Sequence, residues 1–349
     1  MSKKRTLRLL SAGVATFACV LAADAVLQSA DAQQRQSIRW ATSNTGSYGY
    51  MVASAMVSIL EEALDGEYTV TVNPYPSTTG AMKAAMDGEA EIGYTADVGM
   101  RQLYDEEGGF KDYAPAESQL VHTWYAYPME SFMAAPKETA DQFQCWGDFS
   151  GKPVFYTTAG FMNWLNFQRI HKALGYEFNH VEIDPATQAD ALESGSIVGA
   201  VAYTTAGRSL AAYWRETELR ADITVVNPCP DEVEKLTAAG LTPIEVDPTQ
   251  AFSKDVGVEK VYGVPILFAY NVRADLPEDV VYRMLSAFYE KRDELKEADP
   301  GFTPMANDFI GMQVSGINAN PDIPVHAGMA RFLKEHDAWD ESWTIADGS

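Results

Sequence analysis

The sequence predicts an α/β fold in two similar lobes joined by two crossing strands. Three observations carry this: strand-like runs alternate with amphipathic helical runs, one order of elements is written twice, and a small polar loop follows strand after strand. Alternating strands and helices imply parallel sheets, because a parallel pair needs a helical crossover. Open sheets of this kind gather ligands outside the carboxyl ends of their strands.

In chain order, Lys3, Lys4, Arg5 and Arg8 precede an apolar run from Leu9 to Leu27, and Ala30-Asp31-Ala32 offers small residues for cleavage. This is the pattern of a secretory signal peptide over residues 1–32. Asp24 interrupts the run, and no other stretch reaches the roughly 18 apolar residues that span a bilayer. Cys19 follows Thr16-Phe17-Ala18, which lacks the leucine-type residue of a lipoprotein site, so soluble export to the periplasm is expected.

Residues 38–40 read as a strand and residues 42–48 as a polar loop. A helix follows with an apolar stripe of Tyr50, Ala53, Val57, Leu60 and Leu64, closed by Asp65-Gly66. Alternation at Tyr68, Val70 and Val72 marks a second strand, before the loop 76–80 and a short helix over 81–86. "AEIGY" is a third strand, with Thr95-Ala96-Asp97 beyond its end. The plan repeats with strand 152–156, loop 157–160, helix 162–174, strand 180–183, helix 187–194 and strand 196–203 with Thr204-Thr205 after it. Segments 120–135 and 259–272 are apolar enough to be the two crossings, which divides the chain into 33–128 and 263–349 for one lobe and 129–262 for the other. Residues 277–298 and 324–336 read as closing helices.

The chain carries 26 Lys and Arg against 49 Asp and Glu, a formal charge of -23, and such a surface repels the phosphate backbone of nucleic acid. Its five histidines are scattered, and no paired metal spacing, nucleophile elbow, dinucleotide fingerprint or phosphate loop appears. No catalysis, no cofactor and no metal is therefore expected. Beyond residue 32 the cysteines are Cys145 and Cys229, either paired or free in an oxidising compartment.

What remains is five polar loops at strand ends, with small hydroxyl and amide side chains beside the unpaired N–H groups of helix starts, which can hold a carboxylate. A single hydroxyl of this kind can equally cap its own helix, but five loops together point to a ligand. The candidate ligand-binding residues are Ser43, Asn44, Thr45, Ser47 and Tyr48 in the first loop, Thr78 and Thr79 in the second, and Tyr94, Thr95 and Asp97 in the third. Thr157, Thr158, Phe161, Asn163 and Trp164 stand in the fourth, and Tyr203 and Thr204 in the fifth. The aromatic rings would supply apolar area and oriented hydroxyls.

Seven stretches follow one another along the chain: "TGSYGY", "GEAEIGYTADVGMRQLYDEEGGF", "DFSGKPVFYTTAG", "RIHKALGY", "ADALESGSIVGAVAYTTAG", "LPEDVVYRMLSAFYEKRDEL" and "IPVHAGMARFLKEH". Through them, in that order, the chain resembles the TAXI family, TRAP-associated extracytoplasmic solute receptors. It implies a type 2 periplasmic binding fold that closes over one small organic solute, a dicarboxylate, 2-oxoacid, amino acid or more apolar analogue, and hands it to TRAP membrane permease subunits. Ala41, Ser43, Asn44 and Ser47 stand where the family usually has glycine, and "GFMN" (residues 160–163) replaces "GSGT". With no Arg or Lys in the five loops, the expected solute has fewer charges or more apolar surface than glutamate. A periplasmic sensor, or a transferase on the same fold, is the alternative.

Overall fold

The computed structural model describes residues 36–348. The expected signal peptide over 1–32, and Cys19 within it, lie outside the described residues. Among the described residues no helix is long and apolar enough to cross a membrane.

The first lobe is built from β1 (Gln36–Thr42), α1 (Tyr48–Ala63), β2 (Tyr68–Pro74), α2 (Thr78–Met86), β3 (Ile92–Ala96) and α3 (Asp97–Tyr104). Strand β4 (Leu120–Pro136) leads out of it. The second lobe holds β5 (Val154–Phe155), α4 (Met162–Leu174), α5 (Gln188–Glu193), β6 (Gly199–Thr205) and α6 (Ala212–Arg220). It continues with β7 (Ile223–Val226), α7 (Pro230–Ala238) and β8 (Ile244–Val246). Strand β9 (Val261–Arg273) leads back to α8 (Glu278–Glu290), α9 (Arg292–Ala298), α10 (Thr303–Asn307), α11 (Phe309–Ala319) and α12 (Ala327–Glu335).

One sheet runs through both lobes in the order β2-β1-β3-β9-β4-β6-β5. β1 lies parallel to β2 and β3, and β5 parallel to β6, as the crossover argument requires. The centre departs from the expected parallel sheets: β9 is antiparallel to β3 and β4, and β4 to β6. The reason is directional, since β3 and β6 end between the lobes where the crossing strands begin their run into each. The segments expected to cross are β4 and β9, paired from Leu120↔Arg273 to Ser131↔Val264.

Several expectations are corrected locally. Helix α1 begins at Tyr48, where the Ser47 side chain accepts from the Tyr50 N–H, so its buried face runs through Gly49, Val52, Ala53, Met56 and Leu60, leaving Tyr50 and Val57 partly exposed. Helix α2 likewise starts early, at Thr78, because Ser77 accepts from the Gly80 N–H. Thr95 and Ala96 belong to β3 and Asp97 opens α3, so no loop stands there; the ladder to β9 extends to Ala96↔Phe268. Residues 181–183 form no strand: β5 is two residues long and offers the neighbouring chain little beyond the His180↔Val154 bridge. The helix expected over 277–298 breaks at Lys291 into α8 and α9, without a proline or glycine to account for it.

Cys145 and Cys229 are bonded across 84 residues. Beside them the buried Glu232 carboxylate accepts the Trp146, Gly147 and Cys229 N–H groups and the Tyr176 hydroxyl, fixing the start of α7.

Candidate functional site

The loop after β1 divides its hydroxyls between roles. Ser43 is buried, Asn44 half-buried and Thr45 exposed, while Ser47 is the α1 cap. Tyr48 turns inward, and its hydroxyl donates to Asp299 at 2.7 Å. The same carboxylate oxygen accepts Ser209 of the second lobe at 2.8 Å, so one carboxylate is shared by both lobes.

The loop after β2 makes a second contact across the lobes. The Thr79 N–H and hydroxyl both donate to the Gly160 carbonyl, at 3.1 and 3.0 Å. Gly160 has φ 85°, and a Cβ there would stand 3.0 Å from Ser77 Oγ, so bare backbone lets the loops approach. Thr78, the neighbouring candidate, is buried.

At the end of β3, Tyr94 and Thr95 are committed to the core. The Tyr94 hydroxyl accepts from Tyr127, and Tyr127 also lies 3.3 Å from the Tyr270 hydroxyl; burial pushes all three well up in pKa, so they serve as neutral donors and acceptors. Thr95 donates to the Ala269 carbonyl and accepts from Asn271. Asp97 is held by its own helix and by the crossing strand β9: its Oδ1 accepts the Val98 N–H at 2.7 Å and the Leu267 N–H at 3.2 Å. Burial raises its pKa, opposed by the charge of Arg169.

The second lobe holds most of the unmet polar demand. Thr157 has φ 67°, an uncommon and strained conformation for a β-branched residue. Its hydroxyl, that of Thr158 and the indole N–H of Trp164 are buried without a partner among the described residues. Phe161 is buried ahead of α4, Asn163 accepts from Ser131, and Trp164 packs against Phe178 and His180 within its own lobe.

At the end of β6, Tyr203 accepts from Tyr213, and Thr204 donates to Glu130 at 2.7 Å. Burial pushes the Glu130 carboxyl up to about 7, against the pull of Thr204 and the Gly207 N–H. Thr205, the next residue, has a buried hydroxyl without a partner among the described residues, and Ala206 takes φ 53°. A Cβ on Gly301 would stand 2.9 Å from the Thr205 methyl and against the Tyr48 hydroxyl, which joins the first and fifth loops through residue 301.

The structure thus joins Thr79 to the 157–160 segment across the lobes, and Tyr48 to Ser209 of the second lobe through Asp299. It draws Tyr94, Thr95 and Asn163 into core hydrogen bonds and turns Trp164 away. Sequence reasoning missed Asp299, Ser209 and Arg169, and from the fifth loop, 204–205, it singled out Thr204 and not Thr205. For Arg169 a signal existed, because Met162, Leu165 and Arg169 recur at steps of three and four, one helical face. Among the described residues one group has metal-like spacing, Cys145, Cys229 and Glu232, but its sulfurs are bonded to each other and its carboxylate is taken.

Residues 40–336 match the NMT1-like family. No curated protein matches the chain. Among solved structures, MatC from Rhodopseudomonas palustris with bound malate superposes with a TM-score of 0.51 at 11% identity, covering 76% of this chain and 88% of that one. The periplasmic aliphatic sulphonate binding protein SsuA from Escherichia coli gives 0.46 at 14% identity over 87% and 91%. A putative L-cystine ABC transporter from Listeria monocytogenes gives 0.46 at 12% identity over 76% and 95%. The fold is the two-lobed type 2 periplasmic binding fold.

Proposed function

The chain belongs to the NMT1-like family, which corresponds to the TAXI solute-binding proteins, and on that premise we propose an extracytoplasmic receptor for one small organic solute, bound between the lobes and delivered to a TRAP-type membrane permease. In this reading the lobes divide at 33–128 with 263–349, and 129–262, and the protein works in the periplasm. The observation that carries the reading is the set of buried hydroxyls on Thr157, Thr158 and Thr205 that have no partner among the described residues, held on backbone with positive φ at Thr157 and Ala206. Orphaned buried polar atoms are uncommon in native proteins, and at strand ends facing another lobe they are what a solute's polar groups would satisfy. Strained backbone clusters at ligand sites because the surroundings hold it in place for that use.

The mechanism is a population shift. A solute that touches both lobes makes contacts available only when they are closed, and that differential affinity moves the equilibrium toward the closed form. The interlobe bonds of Thr79 to Gly160 and of Ser209 to Asp299 belong to the closed form. Each is modest by itself, about 1 kcal/mol net, so the solute decides the balance.

Native mass spectrometry of the purified protein tests the reading, with an unmodified small solute expected to travel with it. The Thr158→Val variant keeps the side-chain shape, and removal of one hydrogen bond should weaken binding of that solute about tenfold, or about 1.4 kcal/mol. A solute chemically turned over by the protein would contradict the receptor reading. Unchanged affinity in Thr158→Val would remove the 157–160 loop from the site.

A further inference from the structure

No strand forms over 181–183, and what stands in its place bears on the loop after β5. That strand starts a parallel pairing with the neighbouring chain: the Val154 N–H donates to the Asn179 carbonyl at 3.2 Å, and the Val181 N–H to the Val154 carbonyl at 2.9 Å. Continued, the ladder would carry the Tyr156 N–H to the Val181 carbonyl. The Tyr156 N–H goes instead to a side chain, the His180 Nδ1, at 3.3 Å. A backbone N–H can only donate, so Nδ1 is the acceptor and the hydrogen of the neutral ring sits on Nε2. Nε2 donates to Glu182 Oε2 at 2.7 Å, and the same oxygen accepts the Ala159 N–H at 3.0 Å.

Residues 156–159 are thus gripped at both ends. The N–H groups of Tyr156 and Ala159 end on two side chains bonded to each other, and between them lie Thr157 and Thr158, whose buried hydroxyls have no partner among the described residues. Thr157 requires such a grip, because its φ of 67° is uncommon for a β-branched residue and persists only where the surroundings enforce it. His180 releases the backbone from the ladder one residue before the turn, and Glu182 catches it again one residue after Thr158. The rings of Phe155, Tyr156, Trp164 and Phe178 stand 6.0 to 6.3 Å from the imidazole and fix it in place. The His180 side chain is 14% exposed and that of Glu182 49%, so the grip is anchored in the second lobe and open to solvent at its acidic end.

We propose that His180 and Glu182 are positioning residues of the solute site: they hold the turn at 157–159 in its strained form and so aim the Thr157 and Thr158 hydroxyls at the solute. This rests on the receptor reading and adds to it two residues that act through the loop. A pair that only stabilised the fold would lower stability when removed. A pair that holds strain for binding releases that strain when removed, so affinity falls while stability holds or rises.

The test is calorimetry of the full mature chain, stripped of solute by unfolding and refolding, with malate, L-glutamate, 2-oxoglutarate and the solute released on stripping as probes. Glu182→Ala should weaken whichever probe binds wild type about tenfold, with a melting temperature unchanged or raised. Glu182→Gln keeps a carbonyl acceptor for the Ala159 N–H and should stay within roughly threefold of wild type. His180→Ala should behave as Glu182→Ala does, and His180→Asn, whose side-chain oxygen can accept the Tyr156 N–H, should recover part of the loss. Amide hydrogen exchange reads the grip without any solute: the Ala159 N–H should exchange about tenfold faster in Glu182→Ala than in wild type. Unchanged affinity or unchanged Ala159 exchange in Glu182→Ala overturns the inference and leaves the receptor reading standing. The same holds for a loss of affinity that comes with a lowered melting temperature or that Glu182→Gln does not relieve. If no probe binds wild type and no solute is released on stripping, both readings fall together.

Discussion

Thr204 and Thr205 are consecutive residues of β6 with different partners: the first hydroxyl is bonded to Glu130 and the second has none among the described residues. Side chains alternate faces along a strand, so only one of a Thr-Thr pair can face a given layer. From sequence the two are alike, and Thr204 is the candidate that reasoning chose; the buried partner Glu130, 74 residues away, settles it. Glu130 also gives a pH prediction. Folding raises its carboxyl from 4.5 to about 7, so between those values the native state holds a proton that the unfolded chain releases. Stability from this group is therefore lost as pH rises through that window, by about 3 kcal/mol in total. His122 and His171, pushed down to about 4 by burial, act in the opposite sense, losing stability as pH falls below about 6.5. Chemical denaturation of wild type and Glu130→Gln from pH 4.5 to 8 isolates the carboxyl. The gap in stability should move in favour of the variant as pH rises, and a gap that stays constant would show that Glu130 titrates normally.

The elements were legible where their signals were local. Helix α4 spans the predicted 162–174, closed by Gly175 with φ 74°, and the two long apolar segments are the crossing strands. What was not legible depends on distant partners. The start of α1 moved because a cap and a packing contact decide it: Gly49 lies so close to the Tyr94 ring that a Cβ would stand 2.4 Å from it. A helix-interior Gly→Ala change ordinarily stabilises by up to about 1 kcal/mol, but here the clash wins, since overpacking a core costs about 1–3 kcal/mol. Gly49→Ala should lower the midpoint of chemical unfolding, and an unchanged or raised midpoint would mean that α1 and β3 are not packed this closely. The third loop vanished for a similar reason, its residues drawn into the ladder of β3 with β9.

At the scale of the molecule, the doubled order of elements was the strongest message of the sequence, and it yields a two-lobed sheet with β4 and β9 shared. The sequence could not foretell which side chains would meet across the gap. Asp299, 251 residues from Tyr48, and Arg169, on the second turn of a helix outside any polar loop, are brought in by tertiary packing alone. The central claim is that a solute closes the lobes on one another. Small-angle scattering of the chain stripped of solute, then titrated with the solute identified by native mass spectrometry, measures it directly. The account predicts a smaller radius of gyration on saturation, and a smaller response in Thr158→Val at equal solute concentration. A radius of gyration that stays the same while calorimetry reports saturated binding would contradict it.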